Sequence, residues 1–333
     1  MEDTAGRKQV LILAIGLGSI GRRHLANVHA LAGDADFVVI SRSARVHIET
    51  LPWPYRIVDS IQEALELSPD AAIVSSATHL HAEALLPLIA ANIPLYAEKP
   101  AVADRSQLEA VRSALAAVDY SAPSLMGCNL RFLPSLVTAR ELCQSRRIGR
   151  IVRAHFEAGQ WLPDWRPSRD YRESYSASRE LGGGVVLDLI HELDAARWFL
   201  GEFDHVQADL GQRSGLSLDS EDVAGILLSS QGGPMVSVAL DYVSRVPVRR
   251  YTFVGEEGTL TWDMGSRSLW IDDPRGRSEQ VLSVGAFDIA ETYRSAVREF
   301  LDAVHHGGRT SQPLEEGLKS MDLALRVKEA ATL

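Results

Sequence analysis

Val10-Leu11-Ile12-Leu13-Ala14-Ile15 runs directly into Gly16-Leu17-Gly18-Ser19-Ile20-Gly21, and the reading of this stretch decides the fold. A short continuous apolar run that ends in glycine reads as a central strand buried on both faces. The spacing G-x-G-x-x-G follows that strand at once, and Ser19 to Leu31 behind it carries a helical pattern. In a strand–turn–helix setting the glycines permit the tight turn, let the backbone approach a pyrophosphate and let the helix pack closely on the strand. Unpaired backbone N–H groups and the helix dipole favour the anion. The contacts expected on this basis are Gly16, Gly18, Ser19, Ile20 and Gly21; the competing reading is a plain glycine-rich connection.

The same alternation continues outward. Strand-like runs at Phe37–Ile40, Tyr55–Val58, Ala71–Val74, Leu95–Ala97 and Ser124–Cys128 are separated by helical patterns at Ile61–Leu67, His81–Ala91 and from Asp104, a helix cap, to about Val118. Strands alternating with helices predict right-handed βαβ units and a doubly wound parallel sheet over residues 1–128. The rhythm changes after Asn129. A helix at Leu133–Gln144 precedes an apolar alternation at Ile151–Phe156, a loop rich in Trp, Pro, Arg and Tyr, and a helical stretch over Val185–Leu200. Strand segments follow at Val206–Leu210, Val223–Ser229, Met235–Val243, Arg250–Val254 and Thr259–Asp263, with turn signals such as Gly255-Glu256-Glu257-Gly258 between them. Helices over Ala286–Val304 and Leu314–Ala331 close the chain. Residues 129–333 therefore read as an α+β domain with an open, mostly antiparallel sheet.

Composition narrows the function. The 333 residues are 46% hydrophobic and 23% charged, as in ordinary folded proteins, and the formal charge is −10. No global positive field is present to draw in nucleic acid or an anionic membrane surface. Apolar runs stay well short of the roughly 18 to 20 residues that span a bilayer. Glu2, Asp3, Gly16 and Gly18 spoil a secretory signal reading of the N-terminus. Cys128 and Cys143 lack metal-ligand spacing and a disulfide framework, so both are expected as buried thiols of a cytoplasmic protein. His79 and His81, or His305 and His306, lack a convergent ligand set, so no metal is expected.

The end of the second strand speaks to cofactor subtype. Selection of NAD usually places Asp or Glu about 20 residues on, holding the ribose 2′-OH. This chain has Ser41-Arg42-Ser43 there. A carboxylate repels a 2′-phosphate, whereas hydroxyls and a guanidinium bind one. Ser41 and Arg42 thus favour NADP; the alternative is NAD with Arg42 stacked on adenine.

Further motifs occur in order: Ser76-Ala77-Thr78-His79-Leu80-His81 after the fourth strand, Glu98-Lys99-Pro100 after the fifth, Asn129-Leu130-Arg131-Phe132, and Gly182-Gly183-Gly184-Val185-Val186-Leu187-Asp188-Leu189-Ile190-His191-Glu192-Leu193-Asp194. Together they resemble the family of glucose–fructose oxidoreductase and inositol dehydrogenase, the Gfo/Idh/MocA family. The resemblance implies a Rossmann domain, a C-terminal domain with an open mixed sheet, and NAD(P)-linked hydride transfer at a carbon bearing a hydroxyl of a sugar-like substrate, nucleotide-linked sugars included. It also implies homodimers or homotetramers formed through the C-terminal sheet. On this resemblance Lys99 takes the catalytic position, and Asn129 and Arg131 border the active cleft, Arg131 on the substrate side, in a supporting role. Thr78 and Glu98 are expected beside the cofactor; His81 is expected either near the cofactor ribose or in a packing role.

The chemistry of these residues agrees. Pro100 restricts Lys99 to extended backbone at the carboxyl end of a strand, where ligands of open α/β sheets bind. An ammonium there stabilises alkoxide character as hydride leaves. Asp188 and His191, at i and i+3, are expected on one face of a helix, the imidazole to move the hydroxyl proton and the carboxylate to orient it or hold a substrate hydroxyl. Many relatives space this pair at i and i+4, which leaves open whether Lys99 or His191 is the main acid–base group and whether Asp194 is the histidine's partner. In the loop, Trp165 and Tyr175 offer faces that stack on sugars, beside Trp161, Tyr171 and the arginines 166, 169, 172 and 179. The leading expectation is a dehydrogenase or reductase. The alternatives are a hidden-redox epimerase, lyase or hydrolase that regenerates its cofactor, and a cofactor-sensing protein without chemistry.

Overall fold

The computed structural model describes residues 10–40, 51–168, 170–280 and 282–331. The chain divides into two compact units, residues 1–127 with 293–318 and residues 128–292 with 319–333.

In the first unit the N-terminal part contributes β1 (Leu11–Ile15), α1 (Ser19–Ala32), β2 (Asp36–Ile40), β3 (Arg56–Ile57), α2 (Ile61–Glu66), β4 (Ala71–Val74), α3 (His81–Ala90), β5 (Leu95–Ala97), α4 (Arg105–Ala117) and β6 (Ser124–Met126). Caps begin the helices where the sequence places them: Ser60 accepts from the Glu63 N–H, and Asp104 accepts from the Gln107 N–H at 2.8 Å. The six strands form one sheet in the order β3-β2-β1-β4-β5-β6, every pairing parallel. This is the doubly wound order with β1 at its middle, and Ile12 and Leu13 are fully buried there. The register matters for function. Ile40, Ile15, Val74, Ala97 and Met126, the last residues of five strands, lie in one row across the sheet. The residues that follow them, among them Gly16, Ser75, Glu98 and Gly127, therefore share its carboxyl edge.

The second unit contains α5 (Pro134–Gln144), β7 (Ile151–Gly159), α6 (Val185–Asp188), α7 (Ile190–Leu200), β8 (His205–Gly211), β9 (Val223–Ser229), β10 (Met235–Asp241), β11 (Val248–Gly255), β12 (Thr259–Asp263), β13 (Ser268–Asp273) and β14 (Gly276–Glu279). Its sheet runs β14-β13-β12-β11-β7-β10-β9-β8. All pairings are antiparallel except β7 with β10, which is parallel. Alternation along the strands buries Phe156, Tyr251 and Phe253 on one face, where Phe199 of α7 stacks on Phe253 with centroids 4.7 Å apart. Two helices follow, α8 (Ile289–His306) and α9 (Leu314–Ala330). Within the first unit, Phe300 of α8 meets Tyr96 of β5 edge-on, and the Leu314 N–H donates to the Ser124 hydroxyl.

Two features differ from the reading of the sequence. Strands β13 and β14 extend the second sheet beyond Asp263, where no strand was expected. The helix expected over Val185–Leu200 is broken at Leu189, whose φ of −97° and ψ of 34° separate α6 from α7. Asp188 ends one piece and His191 lies in the first turn of the next, so they do not share a face of one continuous helix.

Candidate active site

The carboxyl edge of the parallel sheet is built for close backbone approach. Gly16 has φ +98°, and a Cβ on it would lie 2.6 Å from the Ser76 backbone nitrogen. A Cβ on Gly21 would collide with the Gly16 carbonyl. Each position excludes a side chain by contact with protein backbone. Gly18 is the opposite case: its φ is −65° and nothing lies within 4 Å of where its Cβ would stand. Its backbone borders open space at the start of α1, with no side chain capping the helix. The first N–H groups of a helix have no intrahelical partner, so those of Ser19, Ile20 and Gly21 lie at the positive end of the α1 dipole. The Ser75 hydroxyl donates to the Gly16 carbonyl at 3.0 Å and pins the turn. This cradle fits the pyrophosphate of a dinucleotide. Ser41 and Arg42, the residues that bear on NADP against NAD, lie outside the described residues.

Farther along the edge, Thr78 opens a short 3₁₀ turn before α3 and is buried. His81 is buried with Nδ1 2.9 Å from the Pro100 carbonyl and Nε2 3.0 Å from the Ser76 carbonyl. Burial lowers its pKa below the ordinary histidine value. With both nitrogens against protein carbonyls, His81 ties the segment after β4 to the segment after Lys99. Lys99 follows β5 directly and is half-buried. The buried Glu98 carboxylate accepts from the Lys99 N–H at 3.2 Å and from His24 Nε2 at 2.6 Å.

In the second unit the geometry centres on Asp188. Its buried carboxylate accepts a 2.6 Å hydrogen bond from the Tyr242 hydroxyl and a second from Tyr175. The Asp188 charge, followed by burial, raises the pKa of Tyr175; burial, followed by that charge, raises that of Tyr242. Both phenols are thereby held as donors to the carboxylate. His191 is buried in the first turn of α7. Asp194 has other partners than the histidine: the Arg131 fork grips it at 2.8 and 2.7 Å, and Ser320 donates to it at 2.7 Å. Ser320 in turn accepts from Arg197, whose fork holds Glu202. Arg131 therefore braces the start of the second unit against α7, and Asn129 beside it donates to Thr292 at 2.7 Å.

A cavity of about 570 Å³ opens beside Tyr175. Trp165, Arg166, Asp170, Tyr171 and Glu173 are among the residues that line it. Trp165 meets Tyr242 edge-on at 5.3 Å, and the Arg166 guanidinium stands 5.7 Å from the Tyr175 ring centre. Tyr175 thus touches both the cavity and Asp188. Arg172 is paired with Asp170 at the exposed rim, and Arg169 lies outside the described residues. Among the described residues, no group of three or more His, Cys, Asp or Glu is arranged to hold a metal ion.

Three buried polar residues were not anticipated. His24 on α1 binds Glu98; its one signal in the sequence is a polar residue on the face of α1 that carries Leu25 and Val28. Tyr242 follows β10 and has no signal that links it to Asp188. Glu192 is wholly buried beside Arg249, 2.8 Å away, and Tyr251, and its burial raises its pKa.

Comparison with known proteins agrees with this architecture. Residues 10–120 match the family described as "Oxidoreductase family, NAD-binding Rossmann fold", and residues 136–261 match "GFO/IDH/MocA C-terminal domain". The chain is 25% identical over 336 residues to an inositol 2-dehydrogenase of Rhizobium meliloti (strain 1021), with 93% of each chain covered. It is 26% identical over 287 residues to a 1,5-anhydro-D-fructose reductase of Ensifer adhaerens, covering 82% of this chain and 81% of that one. The structure of a levoglucosan dehydrogenase in complex with NADH and levoglucosan superposes with a TM-score of 0.81 at 18% identity, over 98% of each chain. The chain accordingly belongs to the Gfo/Idh/MocA family and is an oxidoreductase with an NAD-binding Rossmann fold.

Proposed function

We propose that this oxidoreductase transfers hydride between a nicotinamide cofactor and a secondary hydroxyl or ketone of a polyol or sugar-like substrate. The observation that carries the reading is the single edge of the parallel sheet shared by the Gly16–Gly21 cradle and Lys99. A nicotinamide, when bound, supplies or takes the hydride. Backbone N–H groups of Ser19, Ile20 and Gly21 hold the pyrophosphate, Gly18 leaves it room, and Thr78 and Glu98 help shape the edge. Lys99 hydrogen-bonds the substrate oxygen and stabilises its alkoxide character, and Lys99 and His191 handle its proton. Asp188, held by Tyr242 and Tyr175, orients the His191 imidazole or holds a substrate hydroxyl. Trp165 and Tyr175 offer the aromatic faces on which a sugar ring stacks, in the cavity beside them. Arg131, gripped by Asp194, has a supporting role.

NADP is the cofactor we infer, because Ser41-Arg42-Ser43 stands where a carboxylate would exclude the 2′-phosphate. The substrate class rests on the names of the relatives, an inositol dehydrogenase and an anhydrofructose reductase. A homodimer or homotetramer through the eight-stranded sheet is supported by exposed Leu227 and Met235 on its strands β9 and β10.

The test follows the absorbance of reduced nicotinamide with myo-inositol plus NADP⁺ or NAD⁺, and with 1,5-anhydro-D-fructose plus NADPH or NADH, then with a wider sugar panel. Turnover with a preference for NADP(H) is expected. A preference for NAD(H) would overturn the reading of Ser41 and Arg42. Substrate consumption without net change in reduced cofactor would replace net hydride transfer with a hidden-redox reaction, and cofactor binding without turnover on any sugar would point to a sensor.

A further inference from the structure

We infer that His24 is a positioning residue: its buried imidazole fixes the Glu98 carboxylate and, through it, the backbone that carries Lys99. The inference rests on the reading of Lys99 as a proton-handling group.

The geometry lies within the first unit. His24 sits on α1, two residues past the turn of helix that begins the phosphate cradle, and is wholly buried. Its Nε2–H donates to Glu98 Oε1 at 2.6 Å, a short bond of the charge-assisted kind. The other carboxylate oxygen of Glu98 accepts from the Lys99 N–H at 3.2 Å. Glu98 is thus a bridge with one oxygen on α1 and one on the Lys99 backbone. The place of the carboxylate also depends on a glycine. A Cβ on Gly127, at the end of the neighbouring strand, would lie 2.8 Å from Glu98 Oε1. The absence of a side chain at Gly127 leaves the carboxylate its room beside β6, and the imidazole holds it from α1.

The ring is fixed in turn by aromatic neighbours. Tyr96, on the strand that ends before Glu98, packs on the imidazole with centroids 4.5 Å apart, and Tyr293 meets it edge-on at 6.0 Å. Among the described residues Nδ1 has no hydrogen-bond partner, so Nε2 is the nitrogen that performs the task. A reacting group displaced by as little as about 1 Å loses on the order of 100-fold in rate. A rigid buried donor is a means of preventing that displacement. The same helix offers its first N–H groups to the cofactor phosphates in the proposed function, so His24 makes α1 a common support for cofactor and lysine.

The identity of the bonding nitrogen makes the test specific. The amide nitrogen of Gln at position 24 can occupy the place of Nε2, whereas that of Asn falls at the place of Nδ1. The chain has four lysines, Lys8, Lys99, Lys319 and Lys328. Reductive ¹³C-methylation, which keeps their charge, therefore gives a simple NMR spectrum in which Lys99→Ala identifies the Lys99 signal. His24→Asn and His24→Phe are expected to move that signal while leaving Lys319 and Lys328 in place, and His24→Gln is expected to restore it. NADPH affinity, read by fluorescence, is expected to stay within about 3-fold, because the loop glycines are untouched.

In turnover with the best substrate of the panel, His24→Phe should lower kcat by about 10- to 100-fold. It should add less than about 2-fold in a Lys99→Ala background, because residues acting through one another are not additive. An equal loss in both backgrounds, or an unmoved Lys99 signal, overturns the positioning role and leaves Lys99 standing. Full turnover in Lys99→Ala alone overturns the reading of Lys99, and the role of His24 with it. If His24→Phe does not fold, the Gln and Asn variants decide: equal behaviour of the two refutes the inference.

Discussion

Gly16 and Gly18 are two residues apart in one loop, yet alanine at each should fail for a different reason. At Gly16 the obstacle is internal. With φ +98° an L-residue pays conformational strain of about 1–3 kcal/mol, and its Cβ would also stand 2.6 Å from the Ser76 nitrogen, a backbone atom that cannot rotate away. For a unit of this size each kcal/mol is worth about 2–4 °C of Tm, so strain alone should lower Tm by about 2–12 °C, and the contact adds to that. At Gly18 the protein has no objection. Its φ of −65° suits any residue, and the space around the new Cβ is empty. Gly18→Ala should therefore shift Tm by no more than a few degrees, the scale of replacing a glycine helix cap by alanine. The loss appears in cofactor binding, because the methyl group enters the space left for the pyrophosphate. Losing one hydrogen bond to a charged group costs about 1.5–3 kcal/mol, which at about 1.4 kcal/mol per decade is roughly 10- to 150-fold in Kd. The assay pairs thermal unfolding without cofactor with fluorescence titration of NADPH and NADH. Wild-type affinity in Gly18→Ala would show that no phosphate lies there, and a stable Gly16→Ala would contradict the strained turn.

Other outcomes follow from single contacts. Asp194→Asn removes the buried carboxylate that grips Arg131; at about 3–5 kcal/mol for a broken buried pair, Tm should fall by roughly 6–20 °C, whereas Asp170→Asn at the exposed Arg172 pair should leave it unchanged. Equal melting of the two variants would refute that distinction. Tyr242→Phe removes a donor to Asp188 and should reduce kcat/KM by about 10- to 100-fold without altering NADPH affinity; undiminished kcat/KM would remove Asp188 or its tyrosine from the chemistry. For His81, burial depresses the folded-state pKa below about 6.5, so the unfolded chain takes up its proton first as pH falls. Its contribution to stability is complete above that pH and is lost as pH drops towards the folded value. Wild-type Tm should consequently fall more steeply between pH 7.5 and 5.5 than that of His81→Gln, and parallel slopes would count against it.

Much of the first sheet was readable because its information is local. Each strand of the parallel sheet is an apolar run closed by a turn residue, and Ser60 and Asp104 mark their helices by side chains that cap them. What has no local signal depends on pairings distant in sequence. The parallel match of β7 with β10 joins segments about eighty residues apart, and nothing in either run distinguishes it from an antiparallel partner. Strand β13 carries little local signal, because Ser268-Leu269-Trp270-Ile271 is short and sits between turns; Leu269 and Ile271, both fully buried, form its inward face. The glycine cradle, Lys99 and Asp188 are candidates that motif and resemblance single out. Neither singles out the residues that hold them. His24 meets Glu98 across 74 positions, and Tyr242 meets Asp188 across 54.

The break at Leu189 bears on the spacing of Asp188 and His191. In a continuous helix each residue turns the axis by about 100°. Partners at i+3 and i+4 both lie on the face of residue i but about 100° apart around the axis, so a one-residue change in spacing would re-aim the pair. That inference fails once the helix is interrupted. Leu189, at φ −97° and ψ 34°, ends α6, and α7 starts afresh at Ile190. The direction of the Asp188 carboxylate is then set by what binds it, and two tyrosine hydroxyls do so, one from beyond β10 and one from the loop that lines the cavity. Spacing along the chain ceases to be evidence against the pair, and Tyr242 becomes the residue whose loss should disturb it most. A Leu189→Ala substitution, which favours helix by propensity, should therefore reduce activity less than Tyr242→Phe. The reverse order would mean that helical geometry, and not the tyrosines, aims the carboxylate.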